Sequence, residues 1–418
     1  MTEYADLLII GAGPAGMAAA LAAAPSGARI VLLDDNPLPG GQIWRDGPQA
    51  NLPNPARQMR ERLEACSNIC RHSGTRVIAC AGPKQLLVEN PDHGWLISYD
   101  KLILCTGARE LLLPFPGWTL PGVTGVGGLQ ALIKGGLPVQ DERVVIAGSG
   151  PLLLASAATA KHNGAQVLRI AEQASTVAVA RFAARLPLWP NKLMQSVTLF
   201  DHHYRTGTHV LAALGNGRLE GVRLQQQGKI VELECDRLAC GFGLIPNTQL
   251  GQALGCDLDG QALAVDTWQT SSRADHFAAG ECTGFGGSEL ALVEGSIAGH
   301  AAVGDVDSAR ALWPRRTRWQ GFANALSKAF TLDPQLKSLA QPDTLVCRCE
   351  DVPYGLLAGH VDWRGAKLAS RCGMGACQGR VCGGALQHLF GWQPSAPRPP
   401  FSPARIETLL CLDDTPPA

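Results

Sequence analysis

Nowhere does the sequence hold an uninterrupted apolar run of about 18 residues, the length a membrane-crossing helix needs. It also lacks an excess of charge: 36 Lys and Arg stand against 36 Asp and Glu. No global field would draw such a chain to nucleic acid or to an anionic bilayer, and no nucleic-acid partner is expected. No basic segment precedes the short apolar run Leu7–Gly13, so the start does not have the pattern of an export signal. Without one, the 14 cysteines point to thiols and metal ligands rather than to a disulfide framework. The expected location is cytoplasmic, with contact to a membrane through a partner left open. Nor is there a concentrated acid–base constellation: the 10 histidines are spread along the chain, and no general base is assigned.

At 418 residues the chain is long enough for two or three domains. Asp6–Ile10 is an apolar β run that feeds Gly11-Ala12-Gly13-Pro14-Ala15-Gly16, and Met17–Ala24 is almost pure helix former. Gly11 permits the tight turn, Gly13 lets backbone approach a pyrophosphate, and Gly16 allows the helix to pack closely on the strand, while Pro14 and Ala15 open that helix toward the phosphates. A second β run, Ala28–Leu33, ends in Asp34-Asp35 about twenty residues on, where a carboxylate would take ribose hydroxyls. Asp34 is preferred for that contact over Asp35. Pro39-Gly40-Gly41-Gln42-Ile43 would hold backbone near the ligand at Gly41 and Gln42, an ordinary surface turn being the alternative. Lys101–Leu104 leads into Cys105-Thr106-Gly107, a small-residue crossing that lets the chain pass close to a nucleotide. A similar run, Phe277-Ala278-Ala279-Gly280-Glu281, comes much later, so the first nucleotide domain is split around an insertion.

Within the insertion, Arg143–Ala147 enters Gly148-Ser149-Gly150-Pro151-Leu152-Leu153, a second strand–turn–helix unit. Leu153 stands where the third glycine belongs and should push helix and strand apart or shift the ligand. Gly148, Gly150 and Glu172 are its candidate residues; a second adenine nucleotide and a ligand-free scaffold both remain open. Near the C-terminus, Cys347-x-Cys349 is followed by Cys372, Cys377 and Cys382. Two tight turns of soft thiolates, with glycines 373, 375 and 379 between them, suit an iron–sulfur cluster or a zinc ion. Cys347, Cys349, Cys377 and Cys382 are the preferred ligands and Cys372 a competing one. The other cysteines, mostly scattered among apolar residues, read as core.

The expected divisions are residues 1–117 and 251–305 for the split nucleotide domain, 118–250 for the inserted unit, 306–340 for a linker, 341–395 for the cysteine domain and 396–418 for a proline-rich tail. The basic run Trp313–Trp319 in the linker reads as a solvated face, with a docking surface for an acidic partner as the alternative. Pro394–Pro403 should be extended and lie on another surface.

Gly11–Gly16, the Asp34 strand, Cys105-Thr106-Gly107, Gly148-Ser149-Gly150 and Ala279-Gly280-Glu281 together resemble the two-dinucleotide-binding-domain flavoproteins of the glutathione and thioredoxin reductase type, over residues 4 to about 305. With Gly40–Ile43, Gly241–Asn247, Gly286–Ala291 and Arg371–Cys382 the whole chain is similar to the α subunits of heteromeric amine and imino-acid dehydrogenases, of the opine oxidase, hydroxyproline dehydrogenase and hydrogen cyanide synthase type. Its last part resembles the [2Fe-2S] domain of bacterioferritin-associated ferredoxin.

The resemblance implies an α/β fold with a split FAD domain, an inserted second nucleotide domain and a small C-terminal [2Fe-2S] domain. FAD and a [2Fe-2S] cluster are the implied cofactors. An amine-oxidase-type flavoprotein β subunit would oxidise a secondary amine or imino acid, and a small ferredoxin-like γ subunit is a further candidate partner. Other readings are an NAD(P)H-dependent flavin and iron–sulfur reductase needing no partner, and a non-catalytic assembly subunit. The reductases carry a redox-active Cys-x-x-Cys or Cys-x4-Cys beside the flavin, and none is expected in the first 340 residues. Glu281 departs from the usual Asp of that family.

Overall fold

The computed structural model describes residues 2–393 and 397–412. Residues 394–396 and 413–418, which include both ends of the proline-rich region, lie outside the described residues. Thr2–Ile10 pairs in parallel with Ile30–Asp34 on one side and Gly94–Leu104 on the other. Ile69–Ser73 extends the first edge, Gln85–Glu89 and Arg76–Gly82 the second, and His276–Ala278 adds in parallel to Gly94–Leu104 from far along the chain. Leu7–Ile9 and Ile30–Leu33 are buried on both faces, as parallel strands covered by helices must be. Helix Pro14–Ala23 crosses helix Gly287–Ala302 at backbone distance: a Cβ on Gly295 would stand 2.1 Å from the Ala15 carbonyl oxygen, and one on Gly299 2.3 Å from that of Ala19. This contact joins the two halves of the first nucleotide unit.

A second parallel sheet runs Tyr204–Arg205, Gln166–Glu172, Arg143–Gly148, Arg237–Gly241 and Val123–Gly125. Leu153, in helix Leu152–His162, does not force that helix off the sheet. It is fully buried among Val126, Val144 and Ile146, and the strand residue opposite is Gly241, which supplies the missing room. An antiparallel meander, Thr208–Leu214, Gly221–Gln226 and Lys229–Glu234, is attached to this unit.

Residues 306–340, expected as a linker, fold into helices Val306–Ala311 and Trp313–Ala329 and a 3-10 turn, Pro334–Ser338. The reason is helical apolar spacing that begins in the basic run and continues past it: Trp319, Phe322 and Ala325 pack against Phe182, Trp189, Val293 and Ile297. Arg316, from the run expected to be a solvated face, is also buried, at 8% exposure.

The cysteine region is a hairpin, Leu345–Cys347 with Val352–Pro353, and helices Trp363–Ser370 and Cys382–Phe390. Beyond it the chain returns to the first sheet. The Phe401 amide donates to the Ile78 carbonyl (2.7 Å), the Thr408 hydroxyl donates to the Glu89 carboxylate (2.6 Å), and the Arg405 guanidinium caps the carbonyls of Asn90, Pro91 and Asp92.

Candidate functional site

The glycine turn owes its shape to two contacts. A Cβ on Gly11 (φ +102°) would lie 2.2 Å from the Cys105 carbonyl oxygen, and one on Gly16 would lie 1.7 Å from that of Gly11. Gly13 is different. Its φ of −71° suits any residue, and a Cβ there would meet nothing nearer than Gly41 Cα at 3.8 Å. No protein atom requires glycine at 13, so the space over it suits a ligand backed onto the first turn of helix Pro14–Ala23.

Asp34 reaches under the turn: one carboxylate oxygen accepts the Ala12 amide, the other the Asn36 amide and side chain at 2.7 Å. Asp35 points away to Arg76 (3.5 Å) and is two-thirds exposed. Of the two, Asp34 is the one that lies under the glycine turn. The loop at 40–42 folds back, the Gly40 amide donating to the Ala12 carbonyl (2.7 Å), which brings Gly41 against Gly13; the Gln42 side chain instead binds Arg45. Glu281 follows Gly280 (φ +79°), its carboxyl pushed up by burial and without a hydrogen bond among the described residues. Such an unpartnered acid fits a ligand carrying hydroxyls.

Thr106 and Gly107 are locked to Asn247 three ways: the Thr106 hydroxyl donates to the Asn247 carbonyl (2.5 Å), the Asn247 side-chain amide to the Thr106 carbonyl (3.0 Å), and the Asn247 backbone amide to the Gly107 carbonyl (2.9 Å). Arg109 continues the chain. Its Nη1 donates to Asn247 Oδ1 (3.1 Å) and its Nε to the Arg380 carbonyl (3.2 Å), two residues before Cys382. The nucleotide crossing and the cysteine turn therefore share one hydrogen-bonded link.

In the second unit Glu172 is fully buried and folded onto its own glycine turn, accepting the amides of Gly150 (2.7 Å) and Ala174 (2.8 Å). The turn is covered. Ser149 Oγ donates to the Phe330 carbonyl (3.0 Å), the Gln173 amide to that of Thr331 (3.0 Å), and the Phe330 ring lies 3.9 Å from where a Gly150 Cβ would be. Gly148 (φ +144°) backs onto the Gly241 carbonyl, where a Cβ would be 1.9 Å away. Burial pushes the Glu172 carboxyl up to about 7, above its ordinary 4.5, against the pull of the two amides. The folded state then binds the proton more tightly than the unfolded one, so stability is greatest in acid and falls as pH rises from about 4.5 to about 7. Glu172→Gln removes that dependence. Between about pH 5 and pH 8 the unfolding free energy of the wild type should fall by roughly 3 kcal/mol more than that of the variant, measured by urea titration; parallel curves would contradict the assignment.

The thiols gather in two groups. Cys347, Cys372 and Cys382 are buried with their sulfurs within 4.8 Å of one another, and the Gly373 amide donates to Cys347 Sγ at 3.5 Å. Cys349 and Cys377, nearer the surface, influence each other's thiols. The Cys372 contact, then burial, raises the Cys382 thiol well above its ordinary range; a metal would replace those protons. The donor set fits a thiophilic metal or cluster. Glycines 373 and 379 make room for the Trp363 indole, and glycine 375 for Cys349.

Contrary to expectation, Cys-x4-Cys does occur before residue 340, at Cys235 and Cys240, but both are buried in the core of the inserted unit with thiols raised by burial, that of Cys235 to about 12. Neither belongs to the glycine turns. The motifs also leave out Glu294, which accepts the Gly280 amide, and assign no role to Arg109, beside Cys105-Thr106-Gly107, or to Asn247, the last residue of Gly241–Asn247. For Glu294 the available signal is an acid inside the mostly apolar run Leu290–Ile297 of helix Gly287–Ala302.

Among the described residues no helix is long and apolar enough to cross a membrane. A family model described as pyridine nucleotide-disulphide oxidoreductase matches residues 5–303. Hydrogen cyanide synthase subunit HcnB of Pseudomonas aeruginosa is 31% identical, the alignment covering 95% of this chain and 96% of that one. The opine oxidase A subunit of Rhizobium meliloti is 30% identical over 99% of this chain and 89% of its own. Among solved structures, L-proline dehydrogenase from P. horikoshii shares the fold, with a TM-score of 0.70 at 18% identity, over 98% of this chain and 80% of that one.

Proposed function

The chain belongs to the pyridine nucleotide-disulphide oxidoreductase family, whose members are flavin-dependent oxidoreductases built on FAD, and from that premise we propose that it is the FAD- and [2Fe-2S]-bearing electron-transfer subunit of a heteromeric dehydrogenase. The donor would be a secondary amine or imino acid of the D-hydroxyproline or opine class, oxidised at its C–N bond in an amine-oxidase-type flavoprotein β subunit. When bound, the flavin supplies two-electron and the cluster one-electron chemistry, a pairing suited to handing electrons to one-electron carriers. The chain's own residues do the holding. Gly11, Gly13, Pro14, Ala15 and Gly16 present backbone to the phosphates, Asp34 takes the ribose, Gly41, Gln42, Thr106 and Gly107 border the ring, and Gly280 and Glu281 meet the ribityl chain. Cys347, Cys349, Cys377 and Cys382 hold the cluster.

The observation that carries this reading is the link Thr106–Asn247–Arg109–Arg380, which ties the cysteine turn to the nucleotide crossing. The packing of Phe330 and Thr331 over Gly150 supports a partner, rather than NAD(P)H, as the source of electrons. The experiment is anaerobic. With the purified chain, NADH or NADPH should bleach the flavin at least about 100-fold more slowly than amine substrate does in the reconstituted complex with the β subunit, the 100-fold corresponding to about 2.7 kcal/mol of barrier. Rapid bleaching by a nicotinamide alone would favour the self-sufficient reductase, and colourless protein an assembly role.

A further inference from the structure

A cavity of about 320 Å3 opens between the loop 259–269, the turn at Thr283, and helices Gly287–Ala302 and Trp313–Ala329. That volume is within the range of small-molecule sites. None of the residues assigned above to flavin or cluster lines it. Three polar residues of its wall are more than nine-tenths buried: Arg316 at 8%, Gln269 at 2% and Glu294 at 6% exposure. Arg316 is incompletely used. Its Nη1 donates to the Thr267 carbonyl (2.7 Å) and distantly to Gln269 Oε1 (3.5 Å), its Nε has no partner, and no carboxylate comes within ion-pair distance of it among the described residues. Gln269 Nε2 is also unpartnered.

A buried guanidinium without a hydrogen-bonded carboxylate is costly, and so is a buried amide donor left unmade. Glu294 acts on Arg316 only through its charge at a distance and bonds to neither group. Its carboxylate accepts the Gly280 amide (3.1 Å) and the Thr283 hydroxyl (3.3 Å). Asp266 keeps one oxygen on the amides of Trp268 and Thr270 and has the other free, and Asp259 is exposed on the same rim. Unused cationic and amide donors thus share one cavity with three carboxyl groups that they do not pair with. A simple anion would meet those carboxyls, and a simple cation would meet Arg316. A molecule carrying both charges satisfies each group.

We propose that this cavity binds a small zwitterion, an amino or imino acid, its carboxylate held by Arg316 and Gln269 and its ammonium facing Glu294 and Asp266. The assignment is independent of the flavin and cluster roles. Titration calorimetry on the whole chain tests it, with L-proline and glycine as zwitterions, acetate as carboxylate alone and pyrrolidine as amine alone. At least one zwitterion should saturate a single site, with acetate and pyrrolidine at least tenfold weaker. Arg316→Met should weaken that binding tenfold or more, as loss of a charge-assisted fork predicts. Arg316 also braces the 267 loop, so Gln320→Trp, at an exposed helix position on the cavity's rim, is the second variant; it should block entry without disturbing the fold, checked by circular dichroism. No saturable heat with L-proline or glycine, acetate binding as tightly, or undiminished binding in Gln320→Trp each overturns the proposal. Flavin absorbance recorded on the same samples keeps this result separate from the flavin assignment.

Discussion

Serine at Cys347, Cys349, Cys377 or Cys382 should each cut bound iron at least tenfold, from about two atoms per chain for a [2Fe-2S] centre, while serine at Cys372 leaves it in place. A cluster of this kind takes two thiolates per iron, and the two short spacings, Cys347-x-Cys349 and Cys377-x4-Cys382, each offer such a pair from one turn. Cys372 is fully buried and its contact raises the Cys382 thiol, but although its sulfur lies within 4.8 Å of those of Cys347 and Cys382 it stands outside both short spacings. Hydroxyl oxygen is a much poorer ligand than thiolate for these metals, so a single ligand substitution is severe. Flavin content should stay unchanged in all five variants, because no thiol of the set lies at the glycine turn. Iron and zinc analysis with low-temperature EPR after dithionite checks this. Retention of iron in Cys377→Ser with loss in Cys372→Ser would move the site to the buried trio Cys347, Cys372 and Cys382, and zinc in place of iron would make the domain a scaffold.

Gly13→Ala should leave the protein folded and strip it of flavin, while Gly16→Ala should unfold it. Two glycines three residues apart differ because one faces protein and the other faces a ligand. At 16 a Cβ would sit 1.7 Å from a backbone oxygen that cannot move without opening the whole turn, a strain on the order of 3–5 kcal/mol, comparable with total stability. At 13 the same atom enters open space at an ordinary φ. The expected readings are a melting temperature within a few degrees of wild type for Gly13→Ala, with flavin affinity lowered about 100-fold or more. Full flavin occupancy in Gly13→Ala would show that the pyrophosphate does not lie on this turn.

The glycine turns, the acidic strand end and the cysteine spacings are local signals, each set by a few adjacent residues, and the sequence shows them directly. Asp34 and Asp35 part company because one residue of strand reverses the side-chain face: Asp34 lies under the glycine turn and Asp35 points to Arg76. What the sequence hid depends on contacts between distant segments. Gly241 offsets Leu153 from nearly ninety residues away. Phe330 covers a turn built at Gly150. The basic run Trp313–Trp319 looked like a solvated face because its charges dominate its composition, yet the helix turns Arg316 and Trp319 inward. Arg109 stands beside one motif and Asn247 closes another, and neither motif assigns its residue a task. Their role arises only where the crossing loop and the cysteine turn meet.

The return of the chain's end to its first sheet bears on how the protein is made. Glu89 is bonded to Thr408, 319 residues later, and the sheet also awaits strand His276–Ala278. At about 5–20 residues per second of synthesis, the face bearing Ile78, Leu87 and Leu96 stays uncovered for tens of seconds after it leaves the ribosome. Throughout that interval an apolar sheet face and an unpaired strand edge are open to neighbouring nascent chains. Yield in a heterologous host should therefore depend more on chaperone supply and translation speed than on the stability of the finished molecule.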